Sequence, residues 1–313
     1  MTDLRIRIGD LALANPVMPA SGTFSPELAA LIDFNRLGAL VPKTFTRQIR
    51  QGNPEPRLAE VPGGMVASIG IPSKGLDYFL TETVPFYRRF APPLIASISA
   101  ETPAAFAELA GETAVEGVAA IELNLSCPNL EADGRAFAMV ASTTEKTVAA
   151  CVKAARCPIW AKLTPNVGDM TEIAKAAEQG GAQAVVVANG FLAMAIDAET
   201  FRPRVGNVMG GLTGPAPKPI ILRFVYQCAR AVSIPIIGCG GIATTEDTVE
   251  YMLAGAAAVQ VGTATFVDPD AMTTIIDGLD AFCARKGIAR VADLTGALIL
   301  PGTAKAAEKE PVL

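Results

Sequence analysis

The stretch Ile121-Glu122-Leu123-Asn124-Leu125-Ser126-Cys127-Pro128-Asn129 decides how this chain is read. It begins as an apolar strand and ends by handing amides, a hydroxyl and a thiol to a loop. A buried strand that delivers polar groups at its C-terminal end places them on one rim of an α/β fold, where such proteins keep their chemistry.

Working outward, strand-like runs recur at Val17 to Ala20, Ala39 to Val41, Leu94 to Ser97, Ala120 to Leu125, Ile159 to Leu163, Ala184 to Ala188, Ile234 to Gly238 and Ala258 to Val261. Between them, apolar residues fall at helical spacing, as in Phe106, Leu109, Ala110 and Ala114, in Thr147, Ala150, Cys151 and Ala154, and in Ile220, Phe224 and Val225. Eight alternations in 313 residues predict a (β/α)₈ TIM barrel, an α/β fold, folded as one domain over residues 1–313. The opening Leu4-Arg5-Ile6-Arg7-Ile8, Gly9-Asp10 and Leu11-Ala12-Leu13 reads as an N-terminal β-hairpin suited to plugging the barrel's base. The Pro- and Gly-rich stretch from Thr46 to Tyr78 is too long for an ordinary connection after strand two. It is expected to wall or cover the rim.

Half the residues are hydrophobic and 18% are charged, so a large core is affordable in composition and disorder is not indicated. A formal charge of −5 with no block of like charges speaks against nucleic acid and for small-molecule partners. No apolar run reaches membrane-spanning length, Met1 to Arg7 lacks a signal-peptide core, and the expectation is a cytoplasmic protein. Six cysteines lie scattered without CxxC spacing, so no zinc or iron–sulfur site is expected in this chain, and most should be buried small hydrophobes. A histidine count of zero removes the commonest general base and metal ligand together. Proton transfer then falls to Cys, Lys, a carboxylate, Tyr or water.

Polar residues mark the predicted strand ends. Ala20-Ser21-Gly22-Thr23 closes the first, Lys43-Thr44 the second, Asn124 and Cys127 the fourth, Lys162 the fifth, Asn189 the sixth, Gly240-Gly241 the seventh and Gly262-Thr263 the eighth. Singly, a lysine there reads as an ordinary ion pair and a cysteine as packing. Together they point to a ligand, because strand cores do not carry so many polar groups unpaired. The glycine turns after strands seven and eight sit where barrels hold phosphate, and Gly210-Gly211-Leu212-Thr213-Gly214 adds a third glycine-rich run. Spacing leaves open whether that phosphate belongs to a flavin or a sugar.

These motifs carry a resemblance. Ala20-Ser21-Gly22-Thr23, Pro42-Lys43-Thr44, Asn124 to Asn129, Lys162-Leu163-Thr164-Pro165-Asn166, Gly210 to Gly214 and the two glycine turns resemble the class 1 dihydroorotate dehydrogenases, from about Asn15 to Phe266. Met194 to Thr200 with Lys218-Pro219-Ile220 is similar to the type B branch. The resemblance implies an FMN site formed by Ala20, Ser21, Gly22, Lys43, Thr44, Asn124, Lys162, Asn189, Gly214, Gly240, Gly241, Gly262 and Thr263, its phosphate on the glycine turns. It implies Lys162 at the pyrimidine edge of the flavin, Lys43 between flavin and substrate, and Cys127 as the base that takes the C5 proton of dihydroorotate. Asn124, Asn129 and Asn189 would hydrogen-bond the substrate ring, with Lys43 and the N–H groups of Gly70 and Ile71 on its carboxylate. A partner subunit carrying FAD and a 2Fe–2S cluster, NAD as final oxidant and a homodimeric core complete the expectation.

Two positions depart from the family pattern: Ala67 stands where an Asn is usual, and Gly190 where a Ser or Thr follows the Asn. They keep open a flavin oxidoreductase acting on another dihydropyrimidine or unsaturated ring. A Schiff-base aldolase using Lys162 would leave Cys127 and Lys43 without roles, and a non-catalytic flavin subunit would leave Cys127 idle.

Overall fold

The chain opens with the predicted hairpin, β1 (Ile6–Ile8) paired antiparallel with β2 (Leu11–Leu13). The computed structural model describes residues 2–126 and 136–302; Cys127 and Asn129 lie outside the described residues. Then come β3 (Val17–Pro19), β4 (Leu58–Val61), β5 (Gly64–Ala67), β6 (Leu94–Ile98), β7 (Val118–Asn124), β8 (Ile159–Lys162) and β9 (Ala184–Val187). The remaining strands are β10 (Phe191–Met194), β11 (Ile196–Asp197), β12 (Arg202–Pro203), β13 (Met209–Thr213), β14 (Ile236–Cys239) and β15 (Ala256–Val261).

Seven of these form one parallel sheet in the order β3-β15-β14-β9-β8-β7-β6. Their runs are buried almost without interruption, as a parallel sheet covered by helices requires. The predicted second strand, Ala39 to Val41, is not a strand of its own, because Pro42 has no N–H to extend a ladder. The segment 38–45 nevertheless closes the ring. Gly38 N–H bonds Val17 O at 2.8 Å and Thr44 N–H bonds Ser21 O at 3.3 Å on one side. On the other, Leu40 N–H bonds Pro93 O at 2.9 Å, Ile95 N–H bonds Leu40 O at 2.8 Å, and Phe45 N–H bonds Ser97 O at 3.0 Å. The result is a curled α/β barrel with eight positions, one of them held by an irregular segment. The hairpin packs β1 against β15.

Two short helices, α1 (Gly75–Tyr78) and α2 (Val84–Tyr87), precede the outer layer. That layer is α3 (Pro103–Thr113), α4 (Ala141–Ala154), α5 (Met170–Gln179), α6 (Lys218–Cys228), α7 (Thr245–Ala254), the single turn α8 (Ala264–Val267) and α9 (Ala271–Lys286). Thr102 and Asp169 cap α3 and α5 by accepting N–H bonds from Ala105 and Thr171. Thr244 and Asp247 form a reciprocal capping box at α7. In α6 the inward residues are Ile221, Phe224, Val225 and Cys228, whereas Ile220 is exposed, one position off the predicted stripe. Cys151, Cys228, Cys239 and Cys283 are buried and free. No helix among the described residues is long and apolar enough to cross a membrane.

The long insertion is a wall, as expected, but it works with strands that the sequence concealed. β4 and β5 join β13 and β10 in an antiparallel sheet of order β10-β13-β5-β4. Gly210 to Thr213 is therefore strand rather than a phosphate turn, and only Gly214 of that run remains a turn. One face of this sheet buries Ala59 and Val66 against Ala195 and Val205 in a small core of its own. In register, Leu192, Gly211, Ala67 and Leu58 lie side by side across it, and all four line the cavity described next.

Candidate active site

At the C-terminal ends of the barrel strands, beneath this sheet, lies a cavity of about 460 Å³. Its lining includes Ala20, Ser21, Gly22, Lys43, Thr44, Asn124, Lys162 and Asn189 from five of the first six barrel positions, Gly240, Gly241, Gly262 and Thr263 from the last two, and Gly214 from the end of β13. Gly70 and Ile71 enter it from the insertion. All the described residues expected at the site thus meet in one place, although their sequence separations exceed two hundred residues.

The floor is polar. Asn124, last residue of β7, accepts on Oδ1 from the Ser126 hydroxyl at 2.7 Å and from Asn189 Nδ2 at 3.1 Å. Asn189 Nδ2 also donates to Ser126 Oγ at 2.6 Å, and its Oδ1 accepts from Gly190 N–H at 2.8 Å. These bonds fix both amide planes before any ligand arrives, so little ordering entropy remains to be lost on binding. Asn166 supports the arrangement, donating to Thr164 Oγ1 at 2.7 Å and Gly190 O at 3.3 Å and accepting Leu192 N–H at 2.8 Å. Thr164, Asn166 and Ser126 were not singled out from sequence, although all three stand within the motifs that were.

The roof is mostly apolar, with Leu58, Met65, Ala67, Ile69, Leu192 and Met209 along the cavity beside Asn53, Ser68 and Asn207. Ser68 does not replace the missing polar group at 67: it is buried, donates to Met209 O at 2.9 Å and accepts from Asn53 Nδ2 at 3.0 Å. Gly70 and Ile71 have φ of +74° and +50°. For a β-branched residue that conformation costs about 1–2 kcal/mol, a strain held by the surrounding turn at the cavity edge.

Lys162 is buried at the end of β8, with Nζ donating to Gln260 Oε1 at 2.7 Å and standing 3.9 Å from Glu122 Oε1. Burial alone would pull its pKa down, but the charges of Cys239 and Glu122 reverse this and leave it above the ordinary lysine value. A Schiff-base nucleophile needs the opposite shift, so the aldolase alternative loses its amine. Burial pushes the Cys239 thiol up in turn, against the pull of that ammonium.

The glycine turns are packed tightly against the protein around them. Gly241 sits at φ +68°, and a Cβ there would meet Gly214 O and Lys218 Cβ, each at 2.7 Å. Only glycine fits. Tyr251 Oη donates to Gly240 O at 2.6 Å, which steadies the turn from α7. Behind it, Lys218 is ion-paired with Asp247 and, at 2.7 Å, with Glu250. Burial would raise the Asp247 carboxyl, but Lys218 and the N–H groups of Ala243 and Thr244 hold it below the usual aspartate value. A glycine-rich cradle at Gly240, Gly241, Gly262 and Thr263 fits a phosphate bound through the backbone, and the buried Lys162 in the same cavity fits an anion-stabilising charge.

The family model for dihydroorotate dehydrogenase matches residues 3–283. The chain belongs to the dihydroorotate dehydrogenase family. Over 298 residues it is 46% identical to a protein of Trichlorobacter lovleyi named dihydroorotate dehydrogenase B (NAD(+)), catalytic subunit, covering 94% of this chain and 98% of that one. Proteins of the same name from Pelobacter propionicus and Bacteroides thetaiotaomicron are each 44% identical, covering 95% of this chain and 98% and 99% of theirs. Dihydroorotate dehydrogenases are flavoprotein oxidoreductases acting on CH–CH bonds, and the barrel described above is consistent with their fold.

Proposed function

We propose that this chain is the FMN-binding catalytic subunit of a type B dihydroorotate dehydrogenase, oxidising dihydroorotate to orotate in pyrimidine biosynthesis. The observation that carries the reading is one cavity that joins a pre-ordered Asn124–Ser126–Asn189 floor to a glycine cradle and a buried lysine. FMN, when bound, supplies the acceptor for hydride from C6. Gly240, Gly241, Gly262 and Thr263 are read as holding its phosphate, with Gly214, Ala20, Ser21, Gly22 and Thr44 along its length and Lys162 at its pyrimidine edge. Asn124, Asn129 and Asn189 orient the substrate ring, and Lys43 with the N–H groups of Gly70 and Ile71 receives the carboxylate. Cys127 is the base that takes the C5 proton, the histidine-free sequence offering no imidazole for the task.

The relatives' shared name, with NAD(+) and catalytic subunit in it, supports a separate electron-transfer partner and NAD as final acceptor, and the type B resemblance gives that partner FAD and a 2Fe–2S cluster. Exposed Met194 and Ile196, within the segment that resembles the type B branch, and Phe201 next to it suit such a contact. A single-domain subunit, a homodimeric core and a cytoplasmic location complete the proposal. The second reading, a different dihydropyrimidine or unsaturated ring, rests on the apolar Leu192–Gly211–Ala67–Leu58 row that faces the cavity without a polar side chain.

Purified protein is expected to be yellow and to release FMN on denaturation, identified by chromatography of the supernatant. A colourless protein that cannot be reconstituted with FMN would contradict both flavin readings.

A further inference from the structure

Behind Lys162 and Thr44 the barrel interior holds a charged network that the chemistry above does not use. From Lys162 it runs to Gln260, whose Nε2 donates to Glu122 Oε2 at 2.6 Å. Ser97 donates to Glu122 Oε1 at 2.9 Å and shares a 2.9 Å bond with the Thr44 hydroxyl. Glu122 and Ser97 are fully buried, and Gln260 and Lys162 nearly so. Lys162, Thr44 and Cys239 line the cavity, whereas Glu122, Gln260 and Ser97 stand behind them. A buried ion pair is seldom the most stable way to fill a core, since well-packed apolar residues often do as well or better. Placing one directly behind the cavity therefore calls for a role at the cavity.

We propose that Glu122 is a positioning residue that, through Gln260 and by its own charge, keeps the Lys162 ammonium protonated and fixed, and so sets the reduction potential of the flavin. The inference rests on the reading of the cavity as a flavin site. Among the described residues, two titratable groups face Lys162, Glu122 on β7 and Cys239 on β14, with Tyr251 behind Cys239. Glu122 is the acidic side chain paired with that ammonium, 3.9 Å from Nζ and joined to it through Gln260. That carboxylate has two effects. It holds the lysine's proton against burial, and it cancels part of the lysine's field at the cavity.

Glu122→Gln removes the charge and keeps the shape. The new amide oxygen still accepts from Gln260, its NH₂ donates to Ser97 Oγ, and Ser97 turns its own hydrogen toward Thr44. The experiment is the midpoint potential of the bound flavin from pH 6 to 10 for wild type, Glu122→Gln and Glu122→Asp. Wild type should show no break assignable to Lys162. Glu122→Gln should lie above wild type at low pH, by a tenfold change in the two-electron equilibrium or more, about 30 mV. It should then show a new break as Lys162 loses its proton, and converge on wild type beyond it. Glu122→Asp, which retains the charge on a shorter arm, should fall between the two, and it carries the test if Glu122→Gln does not fold. Curves that superimpose on wild type at every pH, or an equal offset in both variants without a new break, would overturn the proposal. Wild-type protein that binds no flavin would instead remove the reading on which it rests.

Discussion

Gly190 and Gly211 pack backbone against backbone: a Cβ built on Gly190 would lie 3.1 Å from the Gly211 Cα and 3.2 Å from Leu212 O. A side chain at position 190 would therefore need β13 to give by a few tenths of an ångström, whereas Ala67, the register partner of Gly211, already carries its Cβ; both positions line the cavity. The two departures from the family pattern are thus physically different, one fixed by packing and one a choice of polarity at the ligand wall. Gly190→Ser should destabilise the protein by about 1–3 kcal/mol through overpacking and bring no gain in orotate affinity. Ala67→Asn should tighten orotate by about 1.5–3 kcal/mol, one to two powers of ten, as a hydrogen bond to a charged ligand is added. Thermal unfolding and orotate titration of the flavin absorbance measure the two effects. If Ala67→Asn crowds the site and abolishes orotate binding, the cavity is shaped for another ring.

Asn124 and Asn189 share Ser126 and bond each other, so they should act as one unit. Replacing either by Ala should weaken orotate binding by about 1–3 kcal/mol, by losing a ligand bond and freeing its neighbour. The double variant should lose less than the sum, because each single change already disturbs the same cluster. Strict additivity in a double-mutant titration would show that the two amides act independently.

The Lys218–Asp247 pair gives a pH-dependent signature. Asp247 has a lowered pKa in the folded protein, so its contribution is present above the unfolded aspartate value of about 3.9 and is lost as pH falls through the folded value. Asp247→Asn should unfold at lower temperature than wild type at pH 7, by about 1–3 kcal/mol of stability for the charge-assisted bonds lost. The gap between the two should close as pH drops below about 4. A gap that stays constant from pH 7 to the acid limit would assign the loss to packing rather than to charge.

Much of this was legible because buried parallel strands announce themselves: Ile159 to Leu163 and Ala184 to Ala188 are apolar runs ending in the residues that the site uses. The segment Ala39 to Val41 reads the same way, yet Pro42 denies it a ladder, and its role as a closing edge appears only when both neighbours are in place. β13 was hidden for the opposite reason. Met209-Gly210-Gly211-Leu212-Thr213 carries turn residues but forms strand, because close backbone approach to Ala67 and Gly190 excludes larger side chains. Glu122 and Gln260 were visible as polar residues inside apolar strands, and that placement was the available signal for the network around Lys162. Their partnership spans 138 residues, which no local pattern encodes.

The central claim is that this cavity oxidises dihydroorotate. The direct measurement is anaerobic: add dihydroorotate to the purified flavoprotein, follow the flavin band by stopped flow, and analyse the product. The account predicts that the band bleaches with formation of one orotate per flavin, and that Cys127→Ala retains the flavin but slows this reduction about a hundredfold or more. A band that persists with dihydroorotate, yet bleaches with dithionite or with another dihydropyrimidine, would contradict it.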